Sequence, residues 1–258
     1  MSILKLSNIF KQIIYPKAML SIIIPTLNEE DNIGRLIENI LSQHIGGTQI
    51  IVVDGYSSDG TSRIVKSYSS KNRNILLIKS KIRNVSVQRN LGAGKARYEN
   101  ILFLDADVVL PKNFLKKNLQ EFKKRGLDVA GCYSSSQSRK FSDRLYFSIY
   151  NIYLLLSERI SPSMAGYCIF SKKSIHKKID GFDKSITVGE DADYTKRASR
   201  IGKFALLKSS KIYTSARRLE NDGRVRMGLK YVAMALHRIF FGEIRSNIFK
   251  YKFGHYKK

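Results

Sequence analysis

Asp105 and Asp107 close the apolar run Ile101-Leu102-Phe103-Leu104. Acids separated by one residue share a face only on an extended backbone, where side chains alternate. A buried strand that runs out at a sheet edge can present both carboxylates to a cleft. Mg²⁺ or Mn²⁺ takes oxygen ligands, commonly one or two carboxylates with substrate phosphates completing the shell. The chemistry this suggests is metal-assisted transfer from a diphosphate-activated donor. Two more apolar runs end the same way. Thr26, Asn28, Glu29 and Glu30 follow residues 20–24, and Asp54, Ser57, Ser58 and Asp59 follow residues 49–53.

The elements that must carry these groups are legible as alternating signals. Short β-branched runs predict strands over 20–24 (stopped by Pro25), 49–53, 75–78 and 101–104. Apolar residues at helical spacing predict helices over 32–41, 61–68 and 85–96. Continuous apolar strands separated by helices imply a mostly parallel sheet covered on both faces, an α/β layout. Ligands of such sheets bind beyond the carboxyl ends of the strands, where the acids fall. The second half is less regular. Strands are expected over 129–133, 167–170 and 204–207 and a helix over 191–201, while residues 143–157 are aromatic and aliphatic.

The chain has 258 residues, 43% of them hydrophobic, enough for one large domain or a domain with an appendage. Its net charge of +25 calls for a polyanionic partner, an anionic membrane surface or phosphorylated substrates, unless the surface is simply basic. Cys132 and Cys168 lack CxxC partners, and His44, His176, His237 and His255 are scattered. Neither a zinc site nor a disulfide framework is suggested, and a reduced cytoplasmic compartment is the default. Residues 1–17 do not read as a signal peptide. The apolar stretch 145–156 is too short for a bilayer, which needs ~20 apolar residues.

The motifs SIIIPTLNEE (21–30), VVDGYSSDGT (52–61), RNLGA (89–93), FLDAD (103–107) and GFDKSITVGEDAD (181–193) occur in this order. At these residues the chain resembles the family 2 glycosyltransferases, inverting enzymes of the GT-A fold, over about residues 20–215. The resemblance implies a GT-A domain over 19–215, an N-terminal extension over 1–18 and a basic amphipathic region over 216–258. It implies a nucleotide-diphosphate sugar as donor, Mg²⁺ or Mn²⁺ as cofactor and a hydroxyl acceptor on a glycan or lipid carrier. Pro25, Thr26, Asn28 and Glu30 match the loop cradling base and ribose. Asp54 matches the acid at the base or ribose edge, with Asp59 in the loop behind it. Arg89 and Asn90 match the segment facing the diphosphate and sugar. Asp107 matches the metal ligand, with Asp105 beside it on ribose or sugar hydroxyls. Asp191, second in the pair Glu190-Asp191, matches the general base. Gly55 and Tyr56 stand where a second acid is common, so the base, uridine or guanosine, stays open. The QxxRW motif of processive synthases is absent, which implies single-sugar transfer. Arg217 and Arg218 fall near its place and suggest a diphosphate role.

The region after residue 216 permits three readings. It is a helix packed on the domain, a nucleic-acid surface, or an interfacial helix on anionic lipid, with Leu229, Val232, Ala233, Leu236, Ile239 and Phe240 as its apolar stripe. No RRM, KH or zinc signature supports nucleic acid as a partner. The lipid reading suits a lipid-borne acceptor on the cytoplasmic membrane face. Two competing functions remain: a nucleotidyltransferase, which usually carries a Gly-rich basic first loop that PTLNEE does not resemble, and a non-enzymatic basic nucleic-acid-binding protein. No motif specifies the sugar, the linkage or an oligomeric state.

Overall fold

The computed structural model describes residues 19–250; the expected N-terminal extension and the end of the basic tail lie outside them. One seven-stranded sheet has the order β3-β2-β1-β4-β6-β5-β7. Its strands are β1 (Leu20–Thr26), β2 (Thr48–Asp54), β3 (Ile75–Lys79), β4 (Asn100–Leu104), β5 (Val129–Ser136), β6 (Cys168–Lys172) and β7 (Phe204–Thr214). The first four pair in parallel, and β5 pairs in parallel with β7. β6 runs against both of its neighbours, β4 and β5. The sheet is therefore mixed in its second half, where the apolar pattern alone carries no strand direction.

Helices α1 (Glu30–Leu41), α2 (Thr61–Ser69), α3 (Val85–Gly94) and α4 (Phe114–Lys124) link the strands of the first half. Strands β1, β2 and β4 are buried almost throughout, as expected of a sheet covered on both faces. Pro25 does not stop β1, which runs to Thr26. Pairing with β4 ends at Ile23↔Phe103, so Pro25 lies where β1 is open on that side. A residue without an N–H is tolerated there. Helix α3 starts at Asn84, whose side chain accepts from the Val87 N–H as an N-cap. Its Gln88 donates from Nε2 to the carbonyls of Thr26 and Val53, tying the ends of β1 and β2 to one helix.

The later helices are α5 (Phe141–Ile160), α6 (Lys173–Lys178), α7 (Glu190–Ser199), α8 (Arg217–Asp222) and α9 (Arg224–Phe240). Helix α5 occupies the stretch for which the sequence pattern suggested no clear element. Its apolar residues lie on more than one face, which blurs the helical period. No helix among the described residues is long and apolar enough to cross a membrane. The apolar stripe of α9 is turned outward: Leu229, Val232, Leu236, Ile239 and Phe240 are exposed, and Met227 and Met234 are buried instead.

Candidate active site

The acids gather at the C-terminal edge of β1, β2 and β4. Thr26 and Asp54 are register partners at the ends of adjacent parallel strands, and Asp105 follows β4 directly. Glu190 and Asp191 open helix α7, where acids complement the positive end of the helix dipole. Gly189, at φ +85°, makes the turn into that helix.

A buried arginine joins two of these stretches. Arg89 on α3 donates from Nη1 to Glu190 Oε1 (2.8 Å) and from Nη2 to Asp105 Oδ1 (3.0 Å). Its guanidinium also lies over the Phe182 ring, 5.1 Å from the centroid. Burial, followed by the neighbouring Asp191 charge, pushes Glu190 up to about 7 against the opposing pull of Arg89. Desolvation also raises Asp105, and Asp107 and Asp191 add to it. That push is softened because 40% of the Asp105 side chain still meets solvent.

Gly166 carries Asp191. Its N–H donates to Asp191 Oδ2 at 2.6 Å, while the Ala192 N–H donates to Oδ1 at 2.7 Å. A Cβ at Gly166 would stand 1.9 Å from Arg89 Nη2, so only glycine allows the backbone to pass between the guanidinium and the carboxylate. On the other side of the cleft, Arg217 at the start of α8 reaches Asp107 Oδ2 (3.1 Å) and Glu29 Oε2 (3.3 Å). Burial raises Glu29, opposed mainly by Arg217. Two arginines thus bridge four carboxylates, with Asp191 as a fifth acid beside them.

Among the described residues, no three His, Cys, Asp or Glu side chains form a ready metal cage. Asp105 and Asp107 lie at a turn just past β4 rather than on extended backbone, and each is paired with a different arginine, Arg89 and Arg217; two carboxylates suit a hard cation whose shell is completed by phosphate oxygens.

The family model described as glycosyl transferase family 2 matches residues 21–180. The chain belongs to glycosyl transferase family 2. The glycosyltransferase AglE of Haloferax volcanii is 26% identical over 190 residues, 70% of this chain and 62% of that protein. The poly(ribitol-phosphate) beta-N-acetylglucosaminyltransferase TarP of Staphylococcus aureus is 26% identical over 182 residues, 68% of this chain and 55% of that one. The chain thus spans less than two thirds of the length of these relatives. The structure resembles S. aureus TarS 1-349 in complex with UDP-GlcNAc, with a TM-score of 0.63 and 22% identity over 76% of this chain and 58% of that one. It also resembles the mannosyltransferase PcManGT of Pyrobaculum calidifontis in complex with GDP-Man and Mn²⁺, with a TM-score of 0.63 and 18% identity over 84% and 66% of the two chains. The fold is that of the GT-A glycosyltransferases.

Within this family 2 domain the sequence candidates divide into two groups. Asp105, Asp107, Glu190, Asp191, Arg89 and Arg217 converge. The others lie in the scaffold around them. Pro25 and Thr26 belong to β1, and Thr26 lies within 3.4 Å of Asp54 Oδ1. Asp54 is 2% exposed and accepts from Ser57 and, at 2.7 Å, from Ser62. Asn28 Oδ1 accepts from the Ser58 N–H (2.9 Å) and holds the two loops together. Asp59 accepts from the Glu30 and Thr61 N–H groups, and Glu30 accepts from the Gly60 N–H, so the starts of α1 and α2 cap each other. Both ends of the Asn90 amide bind the Phe182 backbone at 2.8 Å. Arg218 acts electrostatically on Tyr146 of α5. Arg89, expected to face the donor, is buried at 2% exposure among the acids. A guanidinium there is stable because two carboxylates neutralise it.

Two site residues have partners that the sequence does not specify. Glu29 precedes Glu30 in the same loop, and only the phase of α1 decides which of them reaches Arg217. Gly166 has no motif of its own, and its role depends on a side chain 77 positions earlier in the chain.

Proposed function

We propose that this protein is an inverting glycosyltransferase. It moves one sugar from a nucleotide-diphosphate sugar to an acceptor hydroxyl, on a glycan or a lipid carrier, at the cytoplasmic face of an anionic membrane. The observation that carries the reading is the paired network Glu190–Arg89–Asp105 and Glu29–Arg217–Asp107, with Asp191 beside it. A binding module has no need of five carboxylates at one cleft. A nucleotidyltransferase would grip a triphosphate with a basic first loop, whereas PTLNEE brings an acid.

Asp191 accepts the acceptor's proton as the hydroxyl oxygen bonds to the anomeric carbon. The bond from that carbon to the diphosphate oxygen breaks on the opposite face, so the configuration inverts and the nucleoside diphosphate leaves. Two N–H groups orient the Asp191 carboxylate, so no reorganisation precedes proton transfer; a positioned base contributes typically ~10²–10⁴-fold. Glu190 keeps Arg89 in place and stays out of the proton transfer. Arg217 supplies positive charge beside the leaving diphosphate. Asp107 and Asp105 would hold Mg²⁺ or Mn²⁺, which when bound neutralises charge on the departing phosphates. Thr26, Asn28 and Asp54 line the nucleotide side, where side-chain hydrogen bonds tie the two loops together.

The test is thermal stabilisation by UDP and by GDP with Mn²⁺. Ligand at a hundred times its Kd stabilises a fold by about 2.7 kcal/mol. The wild type is expected to gain stability from one of the two nucleotides, and only with the metal. Asp107→Ala is expected to abolish that gain; a variant stabilised as strongly as the wild type refutes the metal role.

A further inference from the structure

Helix α5 has two apolar faces. Asp143, Phe147 and Leu154 are buried along one side. The opposite side repeats Phe141, Leu145, Ile149, Ile152, Leu156 and Ile160 at spacings of three and four, each between 48% and 87% exposed. A helix on a globular surface normally turns charged residues outward. Helix α9 breaks the same rule. Met227 and Met234 are buried, while Val225, Leu229, Val232, Leu236 and Ile239 are between 49% and 77% exposed.

The two helices adjoin. Phe147 of α5, Leu219 of α8 and Met227 of α9 form one cluster, flanked by Tyr146 and Tyr231. Arg224 at the start of α9 pairs with the buried carboxylate of Asp143 at 2.6 Å. Each helix exposes an apolar stripe, and exposed apolar surface on this scale marks an interaction site.

Charge selects the occupant. Helix α9 carries Arg224, Arg226, Lys230 and Arg238 and no acidic residue, with Arg224 paired to Asp143 and Arg238 to Glu243, in a chain of net charge +25. A second copy would bring the same positive charge to the contact. An anionic bilayer satisfies both features, because its headgroups meet the Lys and Arg ends while the apolar stripe enters the acyl boundary.

Both helices also touch the segments that carry Asp191. The Ala165 N–H donates to the Tyr150 hydroxyl of α5, and the next N–H, of Gly166, holds Asp191. The Arg238 side chain of α9 lies against Gly189, two residues before Asp191, and feels the Asp191 charge.

We propose that α5 and α9 together form a two-helix platform that seats on anionic lipid, with the Asp191 end of the cleft beside it. The acceptor hydroxyl is then one carried by a lipid anchored in that bilayer. This rests on the membrane part of the function proposed above and not on its donor or metal parts. It replaces a single C-terminal anchor with a surface to which α5 contributes as much as α9.

The experiment is flotation of the full chain with vesicles of equal parts phosphatidylglycerol and phosphatidylcholine, against phosphatidylcholine alone. The wild type is expected to float with the anionic vesicles, less so in high salt. Ile149→Asp with Ile152→Asp in α5, and separately Leu229→Asp with Val232→Asp in α9, are each expected to lower the bound fraction about tenfold or more. These side chains are exposed, so nucleotide-dependent thermal stabilisation is expected to persist in both variants and shows that they fold. Absence of wild-type binding, equal binding to neutral vesicles, or an α5 variant that binds like the wild type overturns the platform. A wild-type dimer in light scattering that the same substitutions split, without vesicle binding, assigns the face to a second copy and equally overturns it. Stabilisation by nucleotide without flotation sinks the platform alone; flotation without stabilisation sinks the donor reading alone.

Discussion

Removing the Arg89 guanidinium tests the buried network most directly. Arg89→Met keeps much of the side chain's length and leaves Glu190, only 7% exposed, without its cation. Breaking a buried pair by deleting one partner costs about 3–5 kcal/mol, because the other charge stays desolvated. Glu190 can escape part of this by taking a proton, which makes the loss depend on pH. In the wild type Glu190 already titrates at about 7, above the ordinary value of about 4.3. The folded state therefore binds a proton that the unfolded state lacks. This group favours folding below about pH 4.3, and its contribution declines as pH rises towards 7. Without Arg89 the folded value moves higher still, so the decline continues past 7. Between pH 7 and pH 8.5 that extra decline is at most about 2 kcal/mol, at about 1.4 kcal/mol per unit. Asp105 also loses a partner, but with 40% of its side chain exposed it adds little. Urea denaturation at pH 6 and pH 8.5 measures the difference. Arg89→Met is expected to be destabilised at both values and by up to about 2 kcal/mol more at the higher one. Glu190→Gln in the same chain is expected to remove the pH-dependent part. A loss equal at both pH values, or one that Glu190→Gln leaves unchanged, refutes the reasoning.

Asp191→Asn keeps the shape and removes the base; turnover is expected to fall by ~10²–10⁴-fold with nucleotide affinity intact, and a rate near that of the wild type reassigns the base. Gly166→Ala forces a methyl group to within 1.9 Å of Arg89 Nη2, so a loss of about 1–3 kcal/mol in thermal unfolding is expected together with slowed turnover. A neutral Gly166→Ala would mean that the loop holding Asp191 is free to move.

Much of the fold was readable because the first half repeats one unit. Residues 20–24, 49–53 and 101–104 are largely apolar runs followed by polar and acidic residues, and each became a buried parallel strand with its polar end at the site. The second half resisted. The direction of β6 depends on a long-range pairing with β4 that no local pattern encodes. Helix α5 hid because a helix with apolar residues on opposite sides has no clean period. Within the site, sequence spacing marked Asp105 and Asp107 and the family resemblance marked the Glu190-Asp191 pair, but neither could separate acids that face the cleft from acids that cap helices. Asp59 and Glu30 cap helix starts, whereas Glu29 faces Arg217.

Local order along the chain determined what this protein carries: short strands ending in carboxylates, membership in family 2, and a strong positive charge. Those properties need only neighbouring residues, because alternation and helical spacing act over a few positions. Tertiary structure alone decided what each charge does. Arg89 became a buried bridge between two acids, Arg217 met two acids far from it in sequence, and the apolar stripes of α5 and α9 turned outward. The physical reason is common to all three. Desolvation and ion pairing depend on distance in space, and residues separated by a hundred positions acquire that distance only when the chain folds.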